Sequence, residues 1–214
     1  MGKSSEAWLG EVHGERCVAA LKSHGFDAHF VSTAKEARDL VLKLMEGYET
    51  FGFGGSNTTR DLGLPDELKA RGKKIFDHWQ GDVLGEQSRA IRMEQGRCDC
   101  FLCSANAISA TGEIVNVDAL GNRTNAMSFG PRKIIIVAGI NKVRPDLDSA
   151  IRRVHEVAAP MRARSLNMKT PCAETGICTD CNSPQRICRI MTILHRKPMM
   201  SDVSVVLINE PMGF

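Results

Sequence analysis

The run Lys133-Ile-Ile-Ile-Val-Ala138 constrains the fold of this chain more than any other stretch. Ile and Val without polar alternation do not suit a sheet with one wet face. They suit a strand covered on both sides. Such strands belong to parallel sheets with helices above and below, and the rest of the chain alternates in that way. Ser5 to His24 has a helical pattern ended by Gly25, and Phe26 to Val31 reads as a strand. Thr33 and Glu36 form a capping box before a helix with Ala37, Leu40, Val41 and Leu44 on one face. Thr50 to Phe53 is a short strand broken by Gly54-Gly55-Ser56, with a helix start at Asn57. Strands at Lys73 to Phe76 and Asp99 to Ser104 bracket a helix from Val83 to Gln95. Ile108 to Val117 reads as two extended segments around Thr111-Gly112. A short helix at Asn122 to Phe129, a helix at Leu147 to Ala158 ended by Pro160, and a last strand at Val203 to Asn209 complete the series. The expected fold is α/β, one domain over residues 1–214, with a mostly parallel sheet and helices on both faces. A cysteine-rich loop at 167–188 is inserted before the last strand.

Composition narrows the function classes. A net charge of +3 and 5% aromatic residues give no basis for nucleic-acid binding. No apolar run approaches the roughly 20 residues of a membrane helix, and the polar start is not a secretory signal. A cytoplasmic protein is therefore expected. Cysteines stay reduced there, so eight of them point to metal or redox work rather than a disulfide frame.

Four of the eight, Cys172, Cys178, Cys181 and Cys188, share one Gly/Pro-punctuated loop with C-x5-C-x2-C-x6-C spacing. Soft thiolates favour an iron–sulfur cluster or zinc. Structural zinc usually shows two C-x2-C knuckles and only Cys178/Cys181 makes one, so an iron–sulfur cluster is preferred and zinc is the alternative. Four unliganded thiols are the plainer reading. In the second group, Cys98 and Cys100 are expected on one strand face and Cys103 on the other, so no single ion could take all three. Those three and Cys17 read as core, with Cys103 at the strand's end able to face a site.

Gly54, Gly55, Ser56, Asn57 and Thr58 run from a strand into a helix. Turned-out amides at such a point make an anion site, although a capped tight turn explains the residues equally well. Further on, Asn106, Glu113, Asn116, Asp118, Asn122 and Arg123 crowd together. Asn116 and Asp118 share one strand face, and Arg123 at a helix start offers bidentate contacts to an anion. A solvated sheet face is the plainer alternative. The histidines show no triad or metal spacing; Asp77-His78, after a strand, can reach the carboxyl edge where α/β sheets bind ligands.

Taken together, Gly54-Gly55-Ser56-Asn57-Thr58, the stretch Phe101-Leu102-Cys103-Ser104-Ala105-Asn106-Ala107-Ile108, Gly112-Glu113 with Asn116 and Asp118, Gly121-Asn122-Arg123 and Phe129-Gly130-Pro131 resemble the lactate-utilisation (LUD) domain family and its LutC-like members. The resemblance implies a fold similar to the CoA-transferase and ribose-phosphate-isomerase group. It also implies a link to oxidation of lactate to pyruvate alongside iron–sulfur electron-transfer partner proteins. The cysteine loop departs from many LutC-like proteins. The function expected is redox-linked metabolism of lactate or a related small organic acid. Gly54 to Thr58, Asn106, Asn116, Asn122 and Arg123 would bind the anion, and Glu113 and Asp118 are the candidate catalytic carboxylates. Alternatives are a zinc-stabilised binding or regulatory module without catalysis, and an enzyme handling a phosphorylated or CoA-linked ligand. A homo-oligomer is compatible with all three.

Overall fold

The computed structural model describes residues 4–79 and 84–214. Six strands form one all-parallel sheet: β1 (Asp27–Val31), β2 (Thr50–Phe53), β3 (Lys74–Asp77), β4 (Cys100–Cys103), β7 (Lys133–Gly139) and β10 (Asp202–Ile208). Their order is β1-β10-β7-β4-β2-β3. The Ile/Val run is β7, central and fully buried, flanked by β10 and β4. Its side chains alternate between two cores. Ile134, Ile136 and Ala138 join the core that includes Cys17, Val18 and Leu21 of α1 (Ser5–Ser23). Ile135 and Val137 join the core that includes Ala37, Val41 and Leu42 of α2 (Ala34–Leu44). Helices therefore cover both faces, as the apolar run required. On β2, Phe51 and Phe53 fill the second core. Gly52 leaves room on the opposite face, where a Cβ would sit 2.9 Å from Cys98 Sγ and 3.0 Å from the Phe101 ring.

Four further strands make a second sheet in the order β8-β5-β6-β9: β5 (Ala107–Ser109), β6 (Ile114–Asp118), β8 (Val143–Arg144) and β9 (Ile190–Leu194). The hairpin expected around Thr111-Gly112 is β5–β6. The sheet itself, with the mixed β8 and β9 pairings, was not foreseen. It packs through Ala107 and Val115 on Ala150 and Val154 of the helix that starts at α7 (Leu147–Arg153).

Several sequence expectations are corrected. The helix from Leu147 does not stop before Pro160; it runs through a π turn at Val154–Ala158 into α8 (Ala159–Ser165). Pro160 falls at the second position of α8, where the π turn relieves the need for its missing N–H. The helix before β4, α5, spans Glu86–Gln95, and the expected start at Val83 lies outside the described residues. The expected loop at 167–188 contains α9 (Pro171–Thr175), and the strand that follows it is β9 rather than the last strand. Cys98 precedes β4, so alternation does not extend to it. It shares a core with Cys103 and Phe101, while Cys100 faces the other.

Candidate functional site at the carboxyl edge of the parallel sheet

From β2 the chain crosses toward β3, whereas from β4 it crosses toward β7. This reversal opens a crevice between the carboxyl ends of β2 and β4, the place where open α/β sheets bind ligands. Gly54 closes the strand end, its N–H donating to Leu102 O at 2.9 Å. Ser56 caps α3 (Asn57–Asp61) by accepting from Thr59 N at 3.2 Å. The capped turn expected for the glycine stretch is present, and Gly54 and Gly55 sit at the crevice.

Two ring nitrogens converge over Gly55. A Cβ there would lie 3.5 Å from Trp79 Nε1 and 3.8 Å from His78 Nε2. The protonation of His78 follows from its neighbour. Gln95 Nε2 lies 2.7 Å from Phe53 O and 3.1 Å from Phe76 O, two carbonyls that can only accept. That atom is therefore the amide nitrogen; its two hydrogens are shared among these carbonyls and His78 Nδ1 at 2.8 Å, and because an amide nitrogen does not accept, Nδ1 faces it without a proton. The imidazole proton must then sit on Nε2, facing Gly55. Burial, then the charges of Arg92 and Arg60, depress the His78 pKa to about 4, so the ring is a neutral donor at pH 7. Gln95 Oε1 in turn accepts from Asn122 Nδ2 at 3.1 Å. Asn122 also lines a cleft of about 560 Å³ with Arg89, Arg92, Met93, Leu120 and Asn125.

Positive charge surrounds this point. Arg60 stacks on Trp79 with Cζ 3.9 Å from the ring centroid and pairs with Asp77 at 2.6 Å. Arg162 lies over the same ring at 5.2 Å. Burial raises the Asp77 carboxyl, but the bond from Arg60 and the Trp79 amide outweigh it and hold it below its ordinary value. Among the described residues no carboxylate pairs with Arg162; burial, then Arg123 and Arg60, lower its pKa. Arg60 Nε is also buried without a hydrogen-bond partner among the described residues.

The motif after β4 forms a hydrogen-bonded network beside the crevice. Arg123 donates through Nε and an Nη to Asp118 Oδ1 at 2.9 and 2.7 Å, to Asn106 Oδ1 at 3.0 Å and to Val117 O at 2.8 Å. Asp118 Oδ2 accepts from Thr124 N, and Asn116 Oδ1 accepts from Asn106 N. Both Asp118 oxygens are therefore engaged. The aliphatic part of Arg123 lies against Gly54, where a Cβ would be 3.3 Å from it and 3.1 Å from Cys103 Cβ. Glu113 sits apart, in the β5–β6 turn, accepting from Thr111 Oγ1 at 2.6 Å. Cys103 is fully buried, and burial pushes its thiol up to about 12, so it is not a thiolate.

The cysteine loop brings Cys178 near Cys188 without gathering three donors among the described residues. Cys172 Sγ contacts Thr170 Oγ1 at 3.4 Å, and Cys178 Sγ lies 3.9 Å from His155 Nδ1. All four thiols are free and half-buried. Among the described residues no three His, Cys, Asp or Glu side chains converge as metal donors. Arg186 ties the loop by donating to Cys181 O and Cys188 O, both at 2.8 Å, and by pairing with Asp180.

A family model for the LUD domain matches residues 14–208. The chain belongs to the LUD domain family. That places it, at the family level, among lactate-utilisation-related proteins. This LUD domain is similar to the crystal structure of a DUF162 family protein from Deinococcus radiodurans, with a TM-score of 0.56 and 15% identity. The alignment covers 94% of this chain and 98% of that one, and at such low identity the likeness speaks for the fold alone. No curated protein matches the chain. Among the described residues of the LUD domain, no helix is long and apolar enough to cross a membrane.

Sequence reasoning placed the glycine turn, Arg123 and Asp77-His78 at this edge. It missed Gln95, Trp79, Arg60 and Arg162. Arg60 lies three residues past Asn57, on the helix that the glycine turn announces. Gln95 carried no signal, because its role depends on reaching across from α5.

Proposed function

We propose that this LUD domain binds a small 2-hydroxy or 2-oxo acid, with the carboxylate seated over Gly55. The observation that carries this reading is the convergence of His78 Nε2–H and Trp79 Nε1–H on Gly55, where no side chain stands in the way. Arg60 and Arg162 supply the positive field, and neutral His78 donates without adding a charge of its own. Asn106, Asn116, Asp118 and Arg123 hold the wall of the crevice and do not react.

Thermal shift and calorimetry with lactate, pyruvate and glyoxylate test the reading, with inorganic phosphate as the competing anion. A ligand at 100 times its Kd stabilises by about 2.7 kcal/mol, well within detection. If phosphate binds and no organic acid does, the site takes phosphorylated ligands instead.

A metal on Cys172, Cys178, Cys181 and Cys188 is a separate proposal. The thiols as arranged do not fit one, so binding would require the loop to close, and no step proposed here passes through it. Iron and zinc analysis with a visible spectrum, on protein purified without oxygen, tests it: brown protein carrying iron supports a cluster, and colourless protein with neither metal rejects both.

A further inference from the structure

Lys142 ends the 3-10 turn that follows β7, at the same carboxyl edge. It is 3% exposed, and its Nζ donates to Ser104 Oγ at 2.7 Å. No carboxylate lies within ion-pair distance of it among the described residues. Burial, then the charges of Arg153 and Arg123, lower the amine to about 7; Cys103 and Asp61 face it with the opposite effect. Beside it, Thr58 Oγ1 is buried with no hydrogen-bond partner among the described residues. Amine and hydroxyl both face the backbone of Gly213, which fills the position between them: a Cβ there would lie 2.8 Å from Thr58 Oγ1 and 3.4 Å from Lys142 Nζ. The Asn141 side chain holds this tail, with Nδ2 donating to Gly213 O at 3.3 Å and Oδ1 accepting from Met212 N at 3.1 Å.

A buried amine flanked by two hydroxyls, one of them unpartnered, is more than packing needs. Packing alone would favour an apolar residue, since burying an ammonium without a carboxylate is costly. We propose that Lys142 is a nucleophile that condenses with the carbonyl carbon of a 2-oxo acid to form an imine. This rests on the reading that the carboxyl edge accepts small organic acids. The Nζ lone pair attacks the carbonyl carbon and the new C–N bond forms. The carbonyl oxygen takes up one amine hydrogen, relayed by Ser104 Oγ, to give a carbinolamine. The C–O bond then breaks and the oxygen leaves as water with the second amine hydrogen, so no oxidant or reductant is consumed. Thr58 Oγ1, free of other partners, hydrogen-bonds the carbinolamine oxygen, and the ligand takes the place of Gly213.

The full chain is incubated at pH 7 with glyoxylate and sodium cyanoborohydride, which fixes imines as stable amines, and the modified lysines are mapped by peptide mass spectrometry. The expected result is reduction at Lys142 at least about tenfold faster than at any surface lysine. K142R removes that adduct and leaves surface labelling unchanged. Labelling of Lys142 no faster than the surface lysines in the wild-type chain would overturn the proposal, and that result needs no variant to fold. Lactate has no carbonyl, so its thermal shift reports the Gly55 site alone. A lactate shift without an adduct at Lys142 rejects the imine and keeps the anion site, and an adduct at Lys142 without a lactate shift does the reverse.

Discussion

At the scale of single residues, the proposed anion site turns on Gly55 and His78. The space over Gly55 is open to a methyl group, because the nearest atoms would be at ordinary contact distance and its φ is not left-handed. G55A should therefore fold normally, with its melting temperature within about 2 °C of wild type. It should weaken lactate binding at least about tenfold, because the methyl fills the carboxylate's seat; calorimetry reads both sides of that expectation. Gly54 differs, since its Cβ would press on Cys103 and Arg123 at 3.1–3.3 Å, so G54A should cost stability as well as binding. His78 makes a pH prediction. The unfolded imidazole takes up its proton near pH 6.5 and the folded one only near pH 4. Stability from the neutral ring is complete above pH 6.5 and is lost as pH falls toward 4. In urea unfolding at pH 7 and pH 4.5, H78Q should lose less stability on acidification than wild type. Equal losses would mean that the ring is not held neutral.

At the scale of elements, the motif after β4 works as one unit. Asp118 ends β6, Arg123 lies in the first turn of α6 (Asn122–Ser128), and Asn106 precedes β5; one guanidinium ties the three together. Both charged side chains are close to buried, at 11% and 9% exposure. D118A should cost roughly 3–5 kcal/mol in chemical unfolding, because it strands a buried guanidinium. A cost under 1 kcal/mol would show the pair to be solvent-screened. These residues were legible in the sequence as a constellation, but not in their role. Spacing shows that polar side chains meet; it does not show whether they meet each other or a ligand. The π turn was hidden for a similar reason. Pro160 is a helix stop by local rules, and only the packing of Ala150 and Val154 on the second sheet keeps the helix running past it.

Across the whole molecule, the parallel sheet was readable from β7 outward because strands buried on both faces need continuous Ile and Val. The second sheet was not, since β8 is two residues long and β9 exposes Ile190 and Met191. Neither leaves a periodic signal strong enough to read. The cysteine spacing was legible too, but convergence on one ion is a property of the folded loop, and among the described residues no three donors meet there. Hydrogen exchange should rank the parts accordingly. Amides of β7, β10 and β4 should exchange slowest, β9 faster, and residues 176–188 fastest of these. Slow exchange in the cysteine loop would instead point to a bound metal that closes it.

The most direct test of ligand binding at the carboxyl edge is the nitrogen spectrum of His78 in protein labelled with ¹⁵N-histidine, recorded at pH 6 with and without lactate. The expected result is a neutral ring protonated on Nε2, whose Nε2 resonance moves when lactate is added, in wild type and not in G55A. An imidazolium at pH 6, or an Nε2 signal indifferent to lactate, pyruvate and glyoxylate alike, would contradict it.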